Sequence, residues 1–188
     1  MARSLGSLVL VVGPSGVGKD TLIAGARQAL DNDKRFVFVR RLVSRPSDGE
    51  ADEHDGVEAE IFHQMEAAGR LALAWDAHNL RYGLPLSVDT DLALGRVVVA
   101  SVSRHVVKTA LAKYPNCPVV LITAEISRRA ERLLLRGRES GDQITARLAR
   151  ENAPVPAGVH PIIIDNSGPV AIGVTALVMA LRAIAAQD

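Results

Sequence analysis

The tightest constraint on this chain lies near its start. The apolar run 8–12 (LVLVV) leads directly into Gly13-Pro14-Ser15-Gly16-Val17-Gly18-Lys19-Asp20-Thr21, and a helical pattern follows over 21–30. A short strand, a glycine loop and a helix in immediate succession are the setting a Walker A loop requires. There the glycines let backbone amides close around phosphate oxygens, the helix N-terminus adds its positive end, and the lysine reaches the outer phosphates. Residues 13–21 are therefore the expected nucleotide-binding set, with Lys19 acting on the phosphates. One residue departs from the pattern: Asp20 stands where Ser or Thr normally contacts magnesium. A carboxylate about 4 Å from a phosphate oxygen meets a repulsion of about 4 kcal/mol per charge pair at an effective dielectric of about 20. Asp20 must therefore face Mg²⁺, or turn toward the positive helix end and leave the hydroxyl role to Thr21. Asp20 and Thr21 are the expected metal ligands.

Apolar, β-branched runs bounded by turn residues recur at 8–12, 36–39, 97–100, 119–123 and 162–164, each short enough for a buried strand. Helical patterns lie between them at 21–30, 58–68, 104–113, 126–136 and 143–151, with a closing helix at 170–186. This alternation predicts a doubly wound α/β fold on five parallel strands. The 188 residues suffice for one such domain and not for two of ordinary size, and no repeat or linker divides them. Two stretches break the alternation: 44–56 (SRPSDGEADEHDG), and 71–85, which carries Trp75, His78, Arg81 and Tyr82. Insertions on a rigid sheet are where binding residues gather.

A formal net charge of +1 supplies no global field to hold nucleic acid or an anionic membrane, and 3% aromatic residues make no platform for stacked bases. The expected partner is a small molecule bound at a local anion site. Basic residues are 18 Arg against 4 Lys, and the arginine fork grips phosphate through two hydrogen bonds. The single cysteine, Cys117, excludes an internal disulfide and a Cys-based zinc cluster, and five scattered histidines lack metal-ligand spacing. With an apolar start too short for a signal peptide or a span, the expectation is a cytoplasmic protein. The closing helix is apolar enough to pack on its own sheet or to pair with a copy, so a homodimer stays open.

GPSGVGKDTL at 13–22, SRPSDGE at 44–50, Phe62, RYGLP at 81–85, RLLLRGRE at 132–139 and ITARL at 144–148 follow one order and spacing over nearly the whole chain. In this the chain resembles the guanylate kinase superfamily of P-loop kinases. More narrowly it is similar to the ribose 1,5-bisphosphate phosphokinases, through Asp20 after the loop lysine, the stretch WDAHNLRYGLP at 75–85, Ser103-Arg104, and IDNSG at 164–168. The resemblance implies a P-loop kinase with an acceptor-binding insertion at about 44–85 and a helical lid at about 128–150. It implies ATP as donor, Mg²⁺, and a place in phosphonate breakdown and in supply of 5-phosphoribosyl 1-diphosphate. Guanylate kinases read GMP with a second arginine and a tyrosine. Here Ser47 and Asp48 stand near the arginine's place and Glu60 in the tyrosine's, which removes hydrogen bonds GMP would need.

An acceptor with two phosphates and no base calls for arginines and hydroxyls. Arg45, Arg81 and Arg104, with Glu50, Tyr82, His54 and His78, are the candidates for the acceptor clamp; for His54, in an acidic loop, a merely solvated position is the other reading. Arg128, Arg132 and Arg136 are spaced by four and share one helical face. By resemblance this is the lid, with Arg136, Arg138 and Arg147 meeting the transferring phosphate and Asn166 near the adenine. A guanylate or other nucleoside monophosphate kinase, and a non-catalytic guanylate-kinase-like binding module, are the alternatives. Lys19, Gly13, Gly16 and Gly18 are all present, whereas such modules usually lose them.

Overall fold

The computed structural model describes residues 5–45, 54–77, 79–114, 116–135, 141, 144, 148 and 154–187. The main sheet has five strands, β1 (Leu8–Val12), β2 (Phe36–Phe38), β7 (Val97–Ser101), β8 (Val119–Thr123) and β9 (Ile162–Asp165), in the order β2-β7-β1-β8-β9. All of their pairings are parallel. The run LVLVV becomes the central strand because both of its faces are covered. Leu8, Leu10 and Val12 enter one core cluster, while Val9 and Val11 enter the other. That two-sided burial is why the run is continuously apolar rather than alternating.

On one side lie α1 (Lys19–Ala29) and the closing helix α6 (Val170–Ala185), which contribute Leu22, Ile23, Ala26, Leu177, Val178, Leu181 and Ile184. The other side is covered by α3 (Ser87–Ala93) and α4 (Val107–Lys113), with Cys117 buried in that cluster. Burial pushes the Cys117 thiol up to about 12. The helix expected over 104–113 begins as a 3₁₀ turn, Arg104–Val106, before α4. Helix α2 (Ala59–Ala67) and helix α5 (Ile126–Leu135) stand where the sequence expects helices, whereas most of 143–151 lies outside the described residues. No helix among the described residues is long and apolar enough to cross a membrane.

Described residues of the two stretches that break the alternation enter a second sheet. Strands β3 (Arg41–Val43), β4 (His54–Gly56), β5 (Leu71–Ala77) and β6 (Leu80–Pro85) run in the order β4-β3-β6-β5. β5 and β6 are an antiparallel hairpin with Trp75 opposite Tyr82, and β3 pairs antiparallel with β6, Val43 opposite Tyr82. The insertion thus starts at Arg41, three residues before the polar stretch that marks it in the sequence. Leu73, Trp75 and Leu84 turn into the main core, so this sheet is fastened to the first by its own apolar face.

Helices α1 and α6 approach closely at two glycines. A Cβ on Gly25 would lie 2.5 Å from a Val174 methyl, and one on Gly173 would lie 2.9 Å from Leu22. Overpacking of this kind typically costs about 1–3 kcal/mol. Gly25→Val is expected to lower unfolding free energy by about that much in chemical denaturation; an unchanged midpoint would contradict the close packing.

Candidate active site

The glycine loop leaves β1 and enters α1 at Gly18, which holds φ 88°. A Cβ there would lie 2.6 Å from the Asn166 amide nitrogen, so only glycine lets the turn close against the end of β9. At the loop's other end a Cβ on Gly13 would lie 2.4 Å from the Ile122 carbonyl oxygen. The loop's outer carbonyls are held from behind. Arg129, 2% exposed, donates its Nε to Ser15 O at 3.0 Å. Val17 O accepts from Asn166 Nδ2 at 2.7 Å and from Arg132 Nη1 at 3.2 Å, and Arg132 Nη2 also donates to Asn166 O at 2.8 Å. Among the described residues no backbone carbonyl receives the amides of Gly16, Val17 or Gly18. Lys19 bends over the loop, with Nζ 2.8 Å from Gly13 O and 3.3 Å from Pro14 O. Fixed carbonyls outside, amides without internal carbonyl partners and a lysine within reach form the donor set that a triphosphate tail needs.

Asp20 does not cap α1, whose first turn shows no side-chain cap bond. Its carboxylate turns instead toward the carboxyl end of β7, where Ser101 Oγ lies 3.5 Å from Oδ1 and Arg41 Nη2 lies 3.6 Å away. Arg41 also donates to Ser101 Oγ at 3.1 Å. Thr21 is exposed in the same turn. One carboxylate and one hydroxyl beside the loop fit Mg²⁺, which takes one or two protein oxygens and completes its shell with phosphate oxygens and water. Among the described residues no group of three or more His, Cys, Asp or Glu could hold a metal by itself.

Strand alternation divides the second sheet into two faces. Tyr82 stacks on Trp75, centroids 5.7 Å apart and planes 15° from parallel, on the face that packs against the main core. Arg41, Val43 and Arg45 follow that face along and beyond β3, since Val43 is paired with Tyr82. Arg45 Nη2 and His54 Nε2 are 2.8 Å apart, so His54, a clamp candidate that could also be read as a solvated loop residue, is a strand residue beside Arg45. Arg81 departs from the expectation. It points to the opposite face, toward α2, where it pairs with Glu66 and with Asp76 at 2.8 Å beside a cleft of about 650 Å³. The hydrogen bond it donates to Asp76 holds its guanidinium pKa above the ordinary value. Two carboxylates already occupy this arginine, and the structure does not bring it to the glycine loop.

Arg104 opens the 3₁₀ turn three residues after Ser101, at the same edge of the main sheet. Arg128, grouped with Arg132 by its spacing, is exposed and pairs with Glu131 at 3.2 Å, while Arg132 holds the loop. Of the expected site residues, Glu50, His78, Arg136, Arg138 and Arg147 lie outside the described residues.

Comparison with known proteins bears on this arrangement. No family model matches the chain. The chain is 44% identical over 182 residues to the ribose 1,5-bisphosphate phosphokinase PhnN of Brucella abortus, covering 97% of this chain and 95% of that one. It belongs to the ribose 1,5-bisphosphate phosphokinase family. The Acidiphilium cryptum phosphokinase is likewise 44% identical, with 97% and 96% covered. A bifunctional ribose 1,5-bisphosphokinase-thymidine phosphorylase of Cupriavidus necator is 46% identical, but the chain spans only 30% of its length. Among solved structures, guanylate kinase from Anaplasma phagocytophilum shares the fold, with a TM-score of 0.67 at 14% identity over 97% of this chain and 88% of that one.

Three contributors to the phosphokinase site carry no motif that reveals them: Arg41, Ser101 and Arg129. Arg41 was legible only through alternation in RRLVSR, where 41, 43 and 45 must share a face. Arg129 reads in sequence as one arginine of a solvated helix. Burying a guanidinium on Ser15 O makes it a support of the loop, so Arg129→Met is expected to weaken equilibrium binding of an ATP analogue by about tenfold and to lower the melting temperature. Affinity within twofold of the parent would show that the loop holds its shape without it.

Proposed function

We propose that this chain transfers the γ-phosphoryl group of ATP to the 1-phosphate of ribose 1,5-bisphosphate, giving 5-phosphoribosyl 1-diphosphate and ADP. The observation that carries this reading is the glycine loop: Arg129, Arg132 and Asn166 hold its Ser15 and Val17 carbonyls from outside, and Lys19 lies across it beside Gly13 O and Pro14 O. The acceptor is the one named for relatives that match over nearly their whole length.

The chemistry asks little of a base. A phosphate monoester has a second pKa of about 6, so near neutral pH the attacking oxygen is already ionised. That oxygen forms a bond to the γ-phosphorus as the bond to the bridging oxygen of ADP breaks, and the electron pair leaves on ADP. Protein groups supply position and positive charge. Lys19 leaves its loop carbonyls for the β- and γ-phosphates. Asp20 and Thr21 would hold Mg²⁺, which would supply positive charge between donor and acceptor when bound. Arg45, Tyr82 and Arg104, with Glu50 and His78, take the sugar bisphosphate. Arg136, Arg138 and Arg147 approach the transferring group from the lid, and Asn166 lies by the adenine. Arg81 braces the β5–β6 hairpin against α2 rather than touching the acceptor.

With ATP and magnesium, ribose 1,5-bisphosphate is expected to turn over and GMP not; robust GMP turnover with none for the sugar bisphosphate would overturn the assignment. The rate should fall with pH below about 6, tracking ionisation of the acceptor phosphate. Lys19→Ala is expected to remove most activity while leaving the melting temperature near that of the parent. Asp20→Ser is expected to shift the magnesium concentration needed for half-maximal rate; an unchanged magnesium dependence with altered stability alone would remove Asp20 from the metal.

A further inference from the structure

Arg41, in β3 of the second sheet, reaches across to Asp20 in the first turn of the helix that follows the glycine loop. Its surroundings are incomplete. The guanidinium side chain is 19% exposed, yet its separation from Asp20 is 3.6 Å, longer than a hydrogen bond. Its contacts with Ser101 are 3.1 Å to Oγ and 3.5 Å to the carbonyl oxygen. Its Nε is buried and has no partner among the described residues. Arginine carries five N–H donors in a planar fork, and a buried donor left without an acceptor is costly. The Nε atoms of Arg45 and Arg81 are likewise buried without a hydrogen-bond partner among the described residues, so what sets Arg41 apart is its place beside Asp20 and Ser101; Arg40, on the opposite face, donates to Asp55 at 2.7 Å and to the His54 carbonyl at 2.9 Å.

We propose that Arg41 binds the acceptor phosphate that attacks ATP, and that Asp20 is its stand-in anion while the acceptor is away. This deepens the reading given under Proposed function and rests on it. Position supports it: the attacking phosphate must come up to the glycine loop from the second sheet, and Arg41 lies on the sheet face shared with Tyr82 while touching the first turn of α1. Chemistry supports it too, because a phosphate offers the fork two oxygens in the geometry that the present contacts with Asp20 and Ser101 do not. Exchange of Asp20 for phosphate also returns the Asp20 carboxylate to the donor side.

Calorimetric titration of the full chain with ribose 1,5-bisphosphate, without nucleotide, tests this. Arg41→Met is expected to weaken binding by about ten- to a hundredfold, and Arg41→Lys, which keeps the charge and loses the fork, by less. Asp20→Asn, which releases Arg41, is expected to tighten it, and Asp20→Asn combined with Arg41→Met should bind as weakly as Arg41→Met alone. Arg40→Met should stay within twofold of the parent. Arg41→Met or Arg41→Lys binding within twofold of the parent, or Asp20→Asn binding more weakly, would overturn the proposal and leave Arg41 as a strut between the sheets. Should Arg41→Met fail to fold, the Arg41→Lys and Asp20→Asn titrations decide alone. A parent chain that binds no sugar bisphosphate but does bind GMP would instead overturn the acceptor assignment, and this inference with it.

Discussion

The site depends on one interaction, the capture of the glycine loop's outer carbonyls by side chains from two other elements. Arg129 and Arg132 come from α5, and Asn166 from the end of β9. A loop this rich in glycine has many shapes open to it, and its amides form a concave donor surface only in a few of them. Tying Ser15 O and Val17 O from behind selects such a shape before any ligand arrives. Preorganised donors of that kind need little rearrangement when charge develops, which is where phosphoryl transfer gains most of its rate.

The second constraint is electrostatic. A carboxylate at Asp20 would oppose a polyphosphate unless a cation meets it, and Arg41 is the cation that does so across the joint between the two sheets. The joint closes through Ser101, at the end of a strand whose other residues are wholly apolar. Glycine loop, main sheet and second sheet therefore meet at three side chains. The apolar attachment of Leu73, Trp75 and Leu84 keeps them in register.

Much of this was legible in the sequence. LVLVV, VVVAS and VVLIT read as buried strands because two-sided burial leaves continuous apolar runs, and the loop declared itself through its glycines and lysine. The second sheet did not. β3 and β4 are three residues each, too short for a period to emerge, and β5–β6 hides its alternation because Gly83 and Ala74 occupy places where larger side chains would have marked the face. A Cβ at Gly83 would lie 3.2 Å from Phe62, so packing of α2 sets that residue rather than strand periodicity. Motif matching does not reveal what an arginine touches: Arg81 sits in a matching stretch, and only Glu66 and Asp76 show its surroundings, as Glu131 does for Arg128, which was grouped by spacing alone. The converse holds for Arg129, which looks like a surface residue until its burial is seen.

The most direct test of the loop as the anion cradle is the backbone amide spectrum of isotope-labelled chain titrated with magnesium and a non-hydrolysable ATP analogue. The largest shifts are expected at the amides of Gly16, Val17 and Gly18 and at Lys19, saturating together with a single affinity. Shifts confined to other surfaces, with those four amides unmoved at saturating nucleotide, would contradict the account.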